Sequence, residues 1–301
     1  MSKKINRSGT LFCIFLLLAL ACGIRSYSGA KTSLKIPQNS SPLTMSALGL
    51  STNPSSTDSS YEILPEETAN NSSKPVSVSE HLAVPILYYH SVMLEVGNEV
   101  RMPPDQFEAQ MAYLQGKGYH SVSLDQLYQA QYRGGALPTK PFVITFDDGY
   151  ADNYTTAYPV LKRHGFTATV FMVSSYINGE GFMSWPQLKE LAANGWEIEG
   201  HTVNHHYLSK QNVTTVLNEL RSSKELLERE LGRPVEFFAY PFGDFNPAVA
   251  QAVRNTGYLM AVTTERGWAN HDTDSWHVHR VYCYANMGLN EFSRRLHNPN
   301  Y

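Results

Sequence analysis

From residue 84 to residue 262, short apolar runs alternate with amphipathic stretches, and few folds accommodate that pattern. Residues 84–89 read as a strand. Pro104–Gly116 reads as a helix with Phe107, Met111 and Leu114 on one face, and residues 120–124 as a short strand. Ser123-Leu124-Asp125-Gln126 fits a capping box that opens a helix through Tyr132. Residues 142–146 form the next strand, 154–164 a helix closed by Gly165, and 167–173 a β-branched apolar strand. Ser184-Trp185-Pro186-Gln187 is a second capping box, and its helix ends at Asn194-Gly195. Residues 196–199, 235–240 and 258–262 read as strands. Val213–Leu231, stopped by Gly232, and Pro247–Asn255 read as helices. Such alternation over roughly 200 residues argues for a parallel sheet with helical crossovers.

The polar residues choose between closed and open sheets. In barrels, chemical groups gather where strands end. Here His90 follows one apolar run, Asp147 and Asp148 another, His201 a third, and Pro241-Phe242-Gly243 a fourth. Four strands delivering such groups to one end favour a closed, distorted (β/α) barrel over an open sheet.

The segment ahead of the alternation is different. Lys3, Lys4 and Arg7 precede an apolar run at 11–21 that is short for a membrane span, so residues 1–28 read as an export signal. Ala19-Leu20-Ala21-Cys22 is a loose lipobox, leaving both lipidation of Cys22 and simple cleavage open. Residues 29–80 are rich in Ser, Thr, Asn and Pro with sparse apolar residues, the composition of a flexible tether. The globular domain is expected over 81–301, extracytoplasmic, secreted or attached to the outer membrane face. Cys283 is the sole cysteine of that domain, which excludes an internal disulfide framework. A formal net charge of -3 offers no electrostatic case for nucleic acid. A monomer is expected.

Two clusters carry chemistry. In Thr145-Phe146-Asp147-Asp148-Gly149, adjacent carboxylates sit at the end of a hydrophobic strand, where mutual repulsion and partial burial make double ionisation costly. A metal, or a division into one ligand and one base, removes the conflict; an Asp-Gly turn with one solvated acid is the plain alternative. His201-Thr202-Val203-Asn204-His205 places two imidazoles four residues apart, which on a helical turn puts both within reach of one ion. One added carboxylate makes a two-histidine, one-aspartate set with an open position, the catalytic pattern for zinc. His206 is expected to point away from that face.

Thr-Phe-Asp-Asp-Gly, then His-Thr-x-x-His, then Tyr-Pro-Phe-Gly, together resemble the NodB-type polysaccharide deacetylases, carbohydrate esterase family 4, over roughly residues 84–285. The resemblance implies a distorted (β/α) barrel and metal-dependent hydrolysis of sugar N-acetyl groups with zinc, cobalt or nickel. By motif, Asp148, His201 and His205 resemble the metal ligands and Asp147 the general base. Pro241, Phe242 and Gly243 line the groove, and the backbone N–H of Tyr150 or Phe242 would help hold an oxyanion.

Two departures stand out. The family's third motif usually has an arginine two residues before the proline, holding the base; here that position is Ala239, and Arg280 is the candidate replacement. Phe238-Ala239-Tyr240-Pro241 instead resembles the branch acting on poly-β-1,6-N-acetylglucosamine in biofilms. The general-acid histidine usually sits near the C-terminus, where Arg295-Leu296-His297 matches poorly. The biofilm branch has that motif at the start, and Pro85-Ile86-Leu87-Tyr88-Tyr89-His90 fits it, so His90 is preferred to His297. The expected substrate is an N-acetylglucosamine polymer, either exopolysaccharide or peptidoglycan. A non-catalytic carbohydrate-binding protein and a deacetylase of another acetylated glycan are the competing readings. Trp185, Trp268 and Trp276 are candidates for sugar stacking or for the core.

Overall fold

The computed structural model describes residues 83–301. The expected export signal, Cys22 and the tether at 29–80 lie outside the described residues. Eight strands follow in chain order: β1 (Ile86–Tyr89), β2 (His120–Ser121), β3 (Pro141–Asp148), β4 (Thr169–Met172), β5 (Glu197–Gly200), β6 (Phe237–Ala239), β7 (Met260–Arg266) and β8 (Val278–Tyr282). Their spatial order is β1-β8-β7-β6-β5-β4-β3-β2. β1 also pairs with β3, so the sheet closes into a barrel with β2 outside the ring, attached to the first residues of β3. Every pairing is parallel.

The helices are α1 (Pro104–Gly116), α2 (Leu124–Tyr132), α3 (Tyr158–His164), α4 (Trp185–Ala193), α5 (Val213–Leu231), α6 (Pro247–Asn255) and α7 (Leu289–Arg295). Local chemistry explains their ends. Ser123 Oγ accepts from the Gln126 N–H at 3.0 Å, and Gln126 Oε1 accepts from the Ser123 N–H at 2.9 Å. Such a cap contributes about 1 kcal/mol. Asn212 Oδ1 and Asn246 Oδ1 cap α5 and α6 by accepting from the Thr215 and Val249 N–H groups. Gly165 and Gly232 close α3 and α5 in left-handed conformation.

Two layers of core follow from strand alternation. Phe142, Ile144 and Phe146 of β3 pack in the outer layer under the helices, and Trp196 stacks on Phe146 at 5.7 Å. Val143, Ile86, Phe171, Ala239 and Val262 fill the inner layer.

Outside the site loops, the structure departs from the expected elements at α3, β8 and α7. The expected helix over 154–164 begins instead as a π-turn, Asn153–Ala157, before α3. Asn153 is buried there and its Nδ2 donates to the His90 carbonyl at 2.7 Å, so the wide turn serves a tertiary contact. β8 and α7 have no counterpart in the sequence reading. β8 lacks an apolar run because Arg280 stands beside Val278 among the residues it sends into the barrel.

Candidate active site

Asp147 and Asp148 end β3, and the backbone sends them in different directions. Alternation carries Asp147 into the barrel, where it is 3% exposed. Continued alternation would put Asp148 outside. Instead Asp148 takes φ 73° and Gly149 φ 85°, which turns the Asp148 carboxylate to the barrel mouth. A left-handed aspartate costs on the order of 1–2 kcal/mol, and such held strain clusters at functional sites. A Cβ at Gly149 would stand 2.1 Å from Met172 Sδ and would be strained at φ 85°, so any replacement there displaces the Met172 side chain.

Asp147 is gripped from β8, which lies beyond β1 in the barrel wall. Arg280 Nη1 and Nη2 donate to its Oδ1 and Oδ2 at 2.8 and 2.7 Å. The guanidinium is fully buried, and its remaining bonds run to Thr145 Oγ1 at 3.1 Å and to the Thr263 carbonyl at 2.8 Å. Burial alone would push the Asp147 carboxyl up. The charge and hydrogen bonds of Arg280, with the nearby His201 and His90, together outweigh this and hold it below the ordinary carboxylate range.

Asp148 faces two imidazoles. His201 Nε2 and His205 Nε2 lie 3.5 and 3.2 Å from Asp148 Oδ1. The geometry is not that of a hydrogen bond, and this buried oxygen has no hydrogen-bond partner. Burial raises the Asp148 carboxyl, but the facing imidazoles overcome it and hold it well below its usual range. His201 Nδ1 bonds the Ala239 carbonyl at 2.7 Å, which leaves Nε2 directed at Asp148. Position 239 thus contributes its backbone to the site.

The expected helical turn at His201–His205 is absent. Thr202 and His205 are left-handed, with φ 66° and 58°. Glu219 of α5 shapes the loop instead: its Oε2 accepts from the Val203 and Asn204 N–H groups at 2.9 and 2.8 Å, and its Oε1 from Asn204 Nδ2 at 2.7 Å. His206 turns to Glu219 rather than to Asp148, at 3.7 Å. Sequence reasoning missed Glu219. The signal was there, since Val216, Glu219, Leu220, Ser223 and Leu227 form the buried stripe of α5 and a carboxylate in that stripe needs a partner.

His90 follows β1. The charges of Asp147 and Asp148 both act on its imidazole, but burial is the larger influence and sets it below its ordinary value. Its Nδ1 is buried without a hydrogen-bond partner. His297 is exposed after α7, bonded to the Ser293 carbonyl at 2.7 Å. Tyr150 stacks on Phe182 at 5.1 Å under the Arg101 guanidinium, and burial followed by the Asp148 charge pushes its phenol up to about 12. Pro241–Gly243 is a short turn after β6. Phe242, left-handed at φ 60° and half exposed, lies edge-on to His205 at 4.4 Å and stacks on Tyr207 at 4.0 Å. Of the tryptophans, Trp276 is in the core and Trp268 Nε1 donates to the Arg295 carbonyl.

The site therefore pairs a buried, arginine-held carboxylate with an oxygen–nitrogen–nitrogen cluster suited to a divalent cation. Known proteins are similar to this chain in sequence and fold. A family model described as polysaccharide deacetylase matches residues 134–261. YxkH of Bacillus subtilis (strain 168), which bears that family's name, is 34% identical over 227 residues, covering 75% of this chain and 81% of YxkH. The poly-beta-1,6-N-acetyl-D-glucosamine N-deacetylase of Staphylococcus aureus (strain MRSA252) is 26% identical over 209 residues, 65% of this chain and 71% of that protein. Among solved structures, the Streptococcus pyogenes deacetylase PplD in complex with acetate aligns with a TM-score of 0.69 at 26% identity, over 72% of this chain and 99% of that one. Similarity to YxkH along most of both chains, with the shared barrel, shows that this chain belongs to the polysaccharide deacetylase family of hydrolases.

Proposed function

We propose that this enzyme removes N-acetyl groups from N-acetylglucosamine polymers, with poly-β-1,6-N-acetylglucosamine the preferred substrate, in a reaction that needs a divalent metal. The observation that carries this reading is the arrangement of Asp148, His201 and His205 around a buried carboxylate oxygen without a hydrogen bond, beside the Arg280-held Asp147. The printed name of the Staphylococcus aureus relative supports the linkage.

The donor set fits a cation such as zinc. Asp148 Oδ1 has no other partner, His201 is oriented by the Ala239 carbonyl, and one oxygen with two imidazole nitrogens is a common zinc complement. A cation held by Asp148, His201 and His205 would supply Lewis acidity, polarising an acetamide carbonyl and making water more acidic.

The chain's own groups complete the chemistry. Asp147 is held ionised by Arg280, so it is ready to take a proton from the attacking water. Arg280 also fixes the carboxylate plane, which sets the direction of that transfer. Backbone N–H groups at Tyr150 and Phe242 act as donors to the developing oxyanion. Burial makes protonated His90 a stronger acid than a solvated histidine, which suits it to protonate the departing amine. Acetate and a glucosamine unit result. Phe242 and Tyr207 offer exposed aromatic surface to a sugar chain beside His205.

Residues 81–301 act as the catalytic domain in this reading, carried outside the cytoplasm by the export-type segment and tether at 1–80. The test is acetate release by the zinc-loaded full chain on β-1,6- and β-1,4-linked N-acetylglucosamine oligomers side by side. Release from the β-1,6 series is expected. Release from the β-1,4 series alone would redirect the substrate to peptidoglycan or chitin-like chains, and release from neither would overturn the reading.

A further inference from the structure

A second cluster of metal-ligating side chains lies where β7 meets β8. It comprises Glu265 of β7, His277 just ahead of β8, and His279 of β8, with one ligand atom of each within 4.8 Å of the others. Glu265 Oε1 is 2.7 Å from His277 Nε2, and Glu265 Oε2 is 3.6 Å from His279 Nε2. Each carboxylate oxygen thus faces one imidazole. His277 Nε2 is a buried atom, yet despite its closeness to Glu265 it makes no hydrogen bond. The imidazole rings stand 5.4 Å apart at 78°.

Local structure builds this cluster. His277 and His279 are two residues apart along an extended chain, so they share a face, and Arg280 goes to the other face and into the barrel. Between the pairs Val262↔Val278 and Arg266↔Arg280, β7 advances four residues while β8 advances two. β7 therefore bulges, with the Glu265 N–H donating to Thr263 Oγ1 at 3.1 Å. Bulges re-aim side chains, and this one brings Glu265 to the two histidines. Gly267 at φ 147° makes the space for His279, because a Cβ there would come within 2.8 Å of His279 Nδ1. Phe245 covers one side of His277 at 4.9 Å.

We propose that Glu265, His277 and His279 form a second divalent transition-metal site, which takes zinc. Two imidazoles and one carboxylate are borderline donors that suit zinc over calcium or magnesium. The three side chains are 54%, 37% and 32% exposed, so water completes the coordination and the ion exchanges more readily than at a buried site. The bound ion ties the β7 bulge to β8. That strand carries Arg280, whose Nε donates to the Thr263 carbonyl inside the same bulge. The site is thus a clamp on the strand pair that holds Asp147, not part of the chemistry.

The experiment is equilibrium dialysis of the untagged full chain against buffered free zinc, comparing wild type, His277→Gln/His279→Gln and His201→Gln/His205→Gln. One equivalent is expected to survive His201→Gln/His205→Gln and to be lost in His277→Gln/His279→Gln. The single exposed change Glu265→Gln, which leaves both histidines in place, is expected to weaken that same equivalent. The proposal is overturned if all bound zinc survives His277→Gln/His279→Gln, or if the equivalent kept by His201→Gln/His205→Gln is untouched by both variants. The comparison is independent of whether the site at Asp148 binds metal.

Discussion

Arg280 on β8 and Asp147 on β3 meet inside the barrel through two parallel hydrogen bonds of 2.8 and 2.7 Å. The two strands are not neighbours; β1 lies between them in the ring. The arginine that the family's third motif usually supplies is replaced at Ala239, whose carbonyl orients His201 instead. The proposed base and a proposed metal ligand are thereby positioned from two strands rather than one.

Replacing Arg280 by Gln leaves a buried carboxylate without its partner. Removing one member of a buried pair costs about 3–5 kcal/mol, to be read as a lower urea midpoint. The pH profile gives the sign. As the proposed base, Asp147 acts only when ionised, and its carboxyl is held low, so activity is expected above that low value and lost as pH falls through it. In wild type the acid limb of kcat/KM is expected below the ordinary aspartate value of about 3.9. In Arg280→Gln the main opposition to burial is gone, and the acid limb moves to higher pH than in wild type.

Asp147→Asn removes the proposed base and spares the proposed metal ligands. A drop in kcat of about 100- to 10,000-fold is expected, with zinc affinity within a few-fold of wild type. Asp148→Asn is expected to do the reverse in binding, losing zinc along with activity. Rates of acetate release and zinc dissociation constants, measured on the same preparations, separate the two aspartates.

Glu219 touches neither substrate nor metal in this account; it shapes the loop that aims His205. Glu219→Gln keeps the size but loses charge-assisted acceptance from two N–H groups. Zinc affinity is expected to fall about 10- to 100-fold, with kcat recovered at saturating zinc. A loss of kcat that saturating zinc does not restore would show a different role.

Tyr207 and Phe242 are stacked and exposed beside His205. If they hold a sugar ring, Tyr207→Ala should raise KM for oligomers by about 5-fold, the equivalent of roughly 1 kcal/mol, and leave kcat unchanged. An unchanged KM would remove the platform from the substrate path.

Much of the barrel was legible because its helices announce their own ends. Ser123, Asn212, Gly232 and Pro247 stand where local capping chemistry needs them, and the outer strands are apolar runs. β8 was not legible, since one of its inward residues is the charged Arg280, whose partner lies 133 positions away in sequence. Asp148, His201 and His205 stood out as residue types. The spacing of the histidines suggested a helix, whereas the loop obtains its shape from left-handed residues and a distant glutamate. Residue type thus pointed to the chemistry, and long-range contacts decided the backbone that delivers it.

The central claim is that hydrolysis depends on a cation held by Asp148, His201 and His205. Its most direct test is acetate release from a β-1,6-linked N-acetylglucosamine oligomer by the full chain after chelation, followed by titration with zinc. The account predicts no release after chelation, recovery on adding zinc, and no recovery in His201→Gln/His205→Gln. Full activity in the metal-stripped protein, or full recovery in that variant, would contradict it.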